Sequence, residues 1–214
     1  MTTALATRAP ASGFAPLMML IVAIWAAAIA ALAYRGSFIA PEGKPQLAIV
    51  VAILSPPLLL FILMRLSAAF RANVLTIDPI WVCAIQGWRV VGAGFLTVYG
   101  FGHLNGAFAY QAGWGDVLVG VLAAFAVVHL ARDRQFLTAR AYWLFHALGV
   151  ADLILAPVAG TMIRRGVLGP DAAQQVAPLA EMPLVFIVTF CVPFFLCLHL
   201  IAFAQIRAAR SLPS

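Results

Sequence analysis

A chain of 214 residues that is 64% hydrophobic and only 9% charged, with a mean hydropathy of +1.04, cannot clothe itself in a water-facing surface. Soluble domains carry about 25% charged residues; this length suits one bundle of six short membrane helices, with no room for a separate soluble domain. The net charge of +6 is scattered over the connections between apolar runs, which makes it topological information rather than a nucleic-acid footprint, and no nucleic-acid partner is expected.

Residues 1–15 read as a flexible tail with one charge, Arg8. The first apolar run, 16–34, is rich in alanine, and Ala23, Ala27, Ala30 and Ala31 recur on one face, which suits close helix–helix approach. Ala31-Leu32-Ala33 looks like a signal-peptide cleavage site. The apolar cores of signal peptides run about 7–15 residues, so this longer run is expected to stay as a helix. After the polar connection 35–45, a second helix over 46–66 carries Pro56-Pro57 at its centre, where missing donors and ring clashes predict a kink or break. Residues 67–78 read as an interfacial stretch before a third helix over 79–102. A glycine-rich, aromatic connection, 103–115, then leads to a fourth helix over 116–131. A fifth helix covers 140–163 and a sixth 182–205, separated by the longest and most polar connection, 164–181, and residues 207–214 form a tail.

The basic residues set the expected topology. One side of this scheme collects Arg8, Arg65, Arg71, Arg132, Arg134, Arg140, Arg207 and Arg210, against Arg35, Lys44, Arg164 and Arg165 on the other. Positive charge accumulates on the cytoplasmic side. The fold class is therefore an all-α integral membrane bundle of six transmembrane helices, 16–206, with both termini in the cytoplasm and the lipid bilayer as its solvent.

Arg89 stands near the middle of the third helix, with Gln86 one turn earlier. A guanidinium at that depth costs roughly 2.5 kcal/mol or more and is kept only where it faces protein or water and finds a partner. At about 1.5 Å of rise per residue, Asp152 of the fifth helix lies at a depth an arginine side chain reaches. Asp116 and Asp78 fall instead at the outer and inner mouths. An Arg89–Asp152 pair supplemented by Gln86 is expected, serving either as a register-fixing ion pair or as the polar centre of a pathway.

Three histidines, His129, His146 and His199, fall in the inner leaflet of this scheme. Imidazoles so placed suit a transition metal or a haem, although no spacing motif predicts a cofactor; interfacial or hydrogen-bonded histidine is the simpler reading. At the outer mouth, the connection gathers His103, Asn105 and Asp116. Asp116 reads as the cap of the fourth helix, and the cluster as either capping plus an aromatic belt or a shallow solute-binding mouth. Pro157 and Pro193 at mid-depth add bends that can free carbonyls toward a cavity. Cys83, Cys191 and Cys197 all fall inside apolar segments, which argues for buried thiols. The chain holds no P-loop, G-x-G-x-x-G, G-x-S-x-G or H-E-x-x-H motif, so no catalytic constellation is read.

From the third helix onward six blocks carry a resemblance: Gln86-Gly87-Trp88-Arg89-Val90-Val91-Gly92, Ala112-Gly113-Trp114-Gly115-Asp116, Gly149-Val150-Ala151-Asp152-Leu153, Met182-Pro183-Leu184, Val192-Pro193 and Leu198-His199-Leu200. Over residues 80–205 the chain resembles a group of small uncharacterised bacterial membrane proteins with no assigned activity. The resemblance implies a bacterial inner membrane and carries over no mechanism. Three function classes follow from the residues. The favoured one is a small-solute or proton-coupled permease with a central polar site. The alternatives are a haem- or metal-binding redox protein and a non-catalytic partner in assembly or signalling, acting on another membrane protein or as a homo-oligomer.

Overall fold

The computed structural model describes residues 13–41 and 44–211. Arg8 and most of the expected N-terminal tail lie outside the described residues, as do residues 212–214 of the C-terminal one. Among the described residues the chain is helical, with no strand. In order come α1 (Phe14–Tyr34), α2 (Leu47–Leu66), the short α3 (Ala68–Leu75), α4 (Pro79–Gln86), a 3₁₀ segment (Gly87–Gly92), α5 (Ala93–Gly100) and α6 (Gly106–Arg132). A 3₁₀ turn (Arg134–Thr138) precedes α7 (Arg140–Arg164). Then follow α8 (Pro170–Gln174), a second turn (Ala177–Ala180), α9 (Leu184–Phe186), a π-helical segment (Ile187–Cys191) and α10 (Val192–Arg210). Six helical stretches are long and apolar enough to cross a membrane: α1, α2, the composite Pro79–Gly100, α6, α7 and the composite Leu184–Arg210. The protein is a six-span membrane protein.

The ends of these helices sort onto two faces. Phe14 packs edge-on against Phe70 of α3 at 6.1 Å, and Arg210 Nη2 donates to the Thr138 carbonyl at 2.9 Å. The start of α1, α3, the turn before α7 and the end of α10 therefore share one face, called here the termini face. Opposite it, Arg164 Nη2 donates to the Ala40 carbonyl at 3.1 Å and Asn105 Nδ2 to Gln175 Oε1 at 3.1 Å. These contacts gather the other connections into a loop face.

Local chemistry explains where the helices begin and stop. Ser67 caps α3 by accepting from Phe70 N at 3.1 Å; Asp78 caps α4 by accepting from Ile80 N at 2.9 Å, with Pro79 at the first helical position. At the loop face, α5 and α7 end on Gly102 and Gly166, whose φ of 77° and 84° let the following amides turn back onto Val98 and Met162.

Several boundaries differ from those expected. The third span is three pieces, because its Gly87–Gly92 stretch is wound as a tight 3₁₀ turn against α6. There Gly120 and Gly113 let the backbones close in: a Cβ on Gly120 would sit 2.9 Å from Val90 N, and one on Gly113 2.7 Å from Leu96 Cγ. The fourth helix starts at Gly106 rather than at Asp116, and the residue that caps it is Asn105, which accepts from Ala107 N at 3.0 Å. α2 runs without interruption through Pro56 and Pro57, α1 opens at Phe14, and α10 continues to Arg210.

Three buried clusters fill the bundle, one of which joins α1 and α2 to α9 through Ile29, Ile53 and Val185. Val82, Cys83, Leu130, Tyr142 and Ala202 belong to the one nearer the termini face, and Phe95, Leu104, Phe108 and Ile163 to the one nearer the loop face. Leu20, Ile24, Leu54 and Leu58 of α1 and α2 remain exposed, as the wall of a bundle in lipid requires.

Candidate functional site

The two interrupted spans meet at the middle of the bundle. The 3₁₀ segment of the third span delivers Arg89, only 1% exposed, and the π-helical turn of the sixth precedes the α10 residues Phe195 and His199. Short departures of this kind from α-helical winding re-aim side chains and often sit at functional positions.

Arg89 uses every nitrogen of its guanidinium. Nε donates to Asp116 Oδ1 at 2.7 Å, Nη2 donates to Asp152 Oδ2, and Nη1 reaches the Gly149 carbonyl at 3.2 Å and His199 Nε2 at 3.4 Å. The guanidinium also stands over the Phe195 ring, 6.0 Å from its centroid. One arginine thus ties α6, α7 and α10 to the third span. Breaking a buried pair by removing one partner costs about 3–5 kcal/mol, so the cluster is a strong constraint on how these helices assemble. Room for it is made by glycine. A side chain at Gly115 would collide with the Asp152 carboxylate, one at Gly92 with Asp116, and one at Gly149 with the His199 ring.

The cluster continues toward the termini face. His199 and His146, both fully buried, meet Nδ1 to Nδ1 at 2.8 Å. His146 Nε2 lies 3.9 Å from Cys83 Sγ, and Cys83 Sγ lies 3.6 Å from the Tyr142 hydroxyl, to which it donates. Toward the loop face, a cavity of about 740 Å³ has Asp116 and Asp152 on its floor and Phe108 and Ile53 in its walls. Lys44 and Arg165 stand at its rim.

The other residues singled out from the sequence take separate places. Gln86 is buried, but its Nε2 donates to the Phe195 carbonyl at 3.3 Å rather than to the Arg89–Asp152 pair, which is already filled by Asp116 and Gly149. Asp116 is not at a mouth: it lies ten residues into α6, at the level of Arg89. The outer-mouth grouping of His103, Asn105 and Asp116 therefore does not form. His103 is exposed at the loop face, while Asn105 caps α6 and binds Gln175. His129 stands apart from His146 and His199, exposed and stacked on Phe136 at 5.0 Å between centroids. Among the described residues no group of three or more His, Cys, Asp or Glu is arranged to hold one metal ion.

Sequence reasoning missed Asp116, Cys83 and Tyr142 as members of the site. Asp116 was legible in the run Ala109, Ala112, Asp116, Val119 and Ala123, which places it on the small-residue face of α6 at three- and four-residue spacing. Gly113 and Gly115 hid that pattern, because glycine signals a turn in water, whereas membrane helices carry it freely.

No curated protein and no solved structure matches the chain. Residues 45–207 match the family described as a domain of unknown function, DUF8737, and that match includes every residue of the buried cluster. The chain belongs to the DUF8737 family.

Proposed function

We propose that the protein is a small-solute permease of a bacterial inner membrane, with Arg89, Asp116 and Asp152 as its central binding site. The observation that carries this reading is the cavity, which runs from the loop face to the two carboxylates that flank Arg89. Intramembrane charges of this kind mark substrate and ion pathways. The cavity walls between the carboxylates at the floor and the basic residues at the rim are largely apolar, and an apolar site with a few placed polar groups is the usual make-up of a small-molecule site. With both carboxylates ionised the cluster carries one net negative charge. A solute bearing a cationic or hydrogen-bond-donating group compensates that charge in a medium of low dielectric.

The basic residues support an orientation. Arg65, Arg71, Arg132, Arg134, Arg140, Arg207 and Arg210 belong to the termini face, against Arg35, Lys44, Arg164 and Arg165 at the loop face. The termini face is then cytoplasmic, and the cavity opens outward.

Solid-supported-membrane electrophysiology on the reconstituted protein tests this function with a panel of small organic cations, amino acids and sugars. At least one class is expected to give a transient current that Asp152→Asn abolishes while the variant stays folded. A panel that evokes no current above that of empty liposomes, or an Asp152→Asn protein that responds like the parent, overturns the reading.

A further inference from the structure

The side chains between Arg89 and Tyr142 are not needed to hold a solute, yet they are joined end to end, and the chemistry of the first fixes the state of all the others. Arg89 carries only N–H donors, so its contact makes His199 Nε2 the acceptor. Neutral His199 then bears its proton on Nδ1 and donates it to His146 Nδ1 at 2.8 Å. His146 in turn carries its proton on Nε2, facing Cys83 Sγ, whose S–H donates to the Tyr142 hydroxyl. Every bond in the series points the same way, from the cavity floor toward the termini face.

The length also fits. From Asp152 to Tyr142 is ten residues of α7, about 15 Å of rise, or roughly half the hydrocarbon thickness. The cavity occupies the other half. The charged or titratable groups facing the two imidazoles are Arg89, Cys83 and Tyr142, whose ring packs edge-on against His146 at 4.6 Å between centroids, with Asp116 and Asp152 held behind Arg89. The rings of Phe145 and Phe203 close the remaining sides.

We propose that His199, His146, Cys83 and Tyr142 form a proton path that continues the cavity to the termini face, so that the protein conducts protons across the membrane. In one passage Arg89 Nη1 turns fully to the Gly149 carbonyl, and a proton held on the Asp152 carboxyl is carried by a water from the cavity floor to the His199 Nε2 so freed. His199 gives up its Nδ1 proton to His146 Nδ1, and His146 gives up its Nε2 proton to Cys83 Sγ. The Cys83 thiol passes its own proton to Tyr142, and the buried Tyr142 hydroxyl gives up its proton, by way of water, to the half-exposed Asp78 carboxylate at the termini face. Each relay group gains one proton and loses one, no electron moves, and Asp152 is left as the carboxylate that Arg89 binds. The imidazoles then turn back to the tautomers that Arg89 imposes. Only the delivery of protons to Asp152 through the cavity rests on the permease reading. No member of the series is supplied by a solute, so the flux does not wait for one.

The test uses liposomes containing the full chain and trapped pyranine, with no solute added, and a potassium–valinomycin potential to drive protons. The parent protein is expected to conduct well above protein-free liposomes. His146→Gln and Tyr142→Phe each lower that flux at least tenfold, and His129→Gln, at an exposed histidine off the path, leaves it unchanged. Circular dichroism and size exclusion establish that each variant is folded. Tyr142→Phe, which removes a single oxygen, decides the matter if His146→Gln does not fold. A parent flux equal to that of empty liposomes, or a folded Tyr142→Phe protein conducting like the parent, overturns the path. A solute current without proton flux overturns the path alone and leaves the permease standing, whereas proton flux without any solute current does the reverse.

Discussion

Gly115 of α6 and Asp152 of α7 stand so close that a methyl group on Gly115 would overlap the Asp152 carboxylate. The aspartate reaches Arg89 because α6 has no side chain at that point, so the ion cluster and the helix packing are one feature. Gly115→Ala is expected to displace Asp152 from Arg89 and to cost about 1–3 kcal/mol, the usual penalty for overfilling a packed interior. A thermal-unfolding series in detergent reads this as a lower midpoint. An unchanged midpoint contradicts the placement of the carboxylate.

The two aspartates and Arg89 are expected to behave as one unit. Arg89→Met leaves two facing carboxylates unpaired and loses about 3–5 kcal/mol. Adding Asp116→Asn and Asp152→Asn to that variant recovers part of the loss, since neutral amides can bond to each other. Additive losses across the three substitutions, measured by denaturant unfolding, contradict a shared cluster.

Asn105 separates capping from binding. Its side chain accepts from Ala107 N and donates to Gln175, and nothing in that geometry aims at the cavity floor. Asn105→Ala is therefore expected to cost about 1 kcal/mol of stability and to leave solute currents unchanged. A lost current at full stability would return this residue to the binding site.

At the termini face, Arg134 donates to both oxygens of Asp78, at 2.6 Å and 3.1 Å. These hydrogen bonds, and to a lesser extent the one from Ile80 N, hold the Asp78 carboxyl below its ordinary value of 3.8 despite some burial. A depressed folded-state value means stability that is present above the unfolded value and lost as pH falls through the folded one. The pair is half-exposed, so the difference between the parent and Arg134→Gln is expected to be under about 1 kcal/mol at pH 7 and to shrink as the pH falls through the depressed range of the Asp78 carboxyl. Unfolding midpoints from pH 7 to pH 2.5 check the sign; a difference that grows on acidification contradicts it.

The membrane class and the number of spans could be read from composition and apolar run length, because hydrocarbon allows a chain few other solutions. The Arg89–Asp152 distance was also within reach of sequence, since helical rise fixes depth along a span. What sequence could not carry was rotation about each helix axis. That rotation puts Asp116 on Arg89, sends Gln86 to the Phe195 carbonyl, and turns His146 and His199 toward one another while His129 faces outward. The winding of the third span hid the rest. A 3₁₀ turn over Gly87–Gly92 changes which residues share a face, and a uniform 3.6-residue count misassigns them.

The most direct test asks whether water reaches the Asp152 level from the loop face. Ala156 lines the cavity one helical turn from Asp152. Ala156→Cys in oriented vesicles is treated with a membrane-impermeant cationic methanethiosulfonate from either side, and the modified peptide is read by mass spectrometry. Modification only from the loop face is the predicted result; modification only from the termini face, or none from either side, contradicts the account.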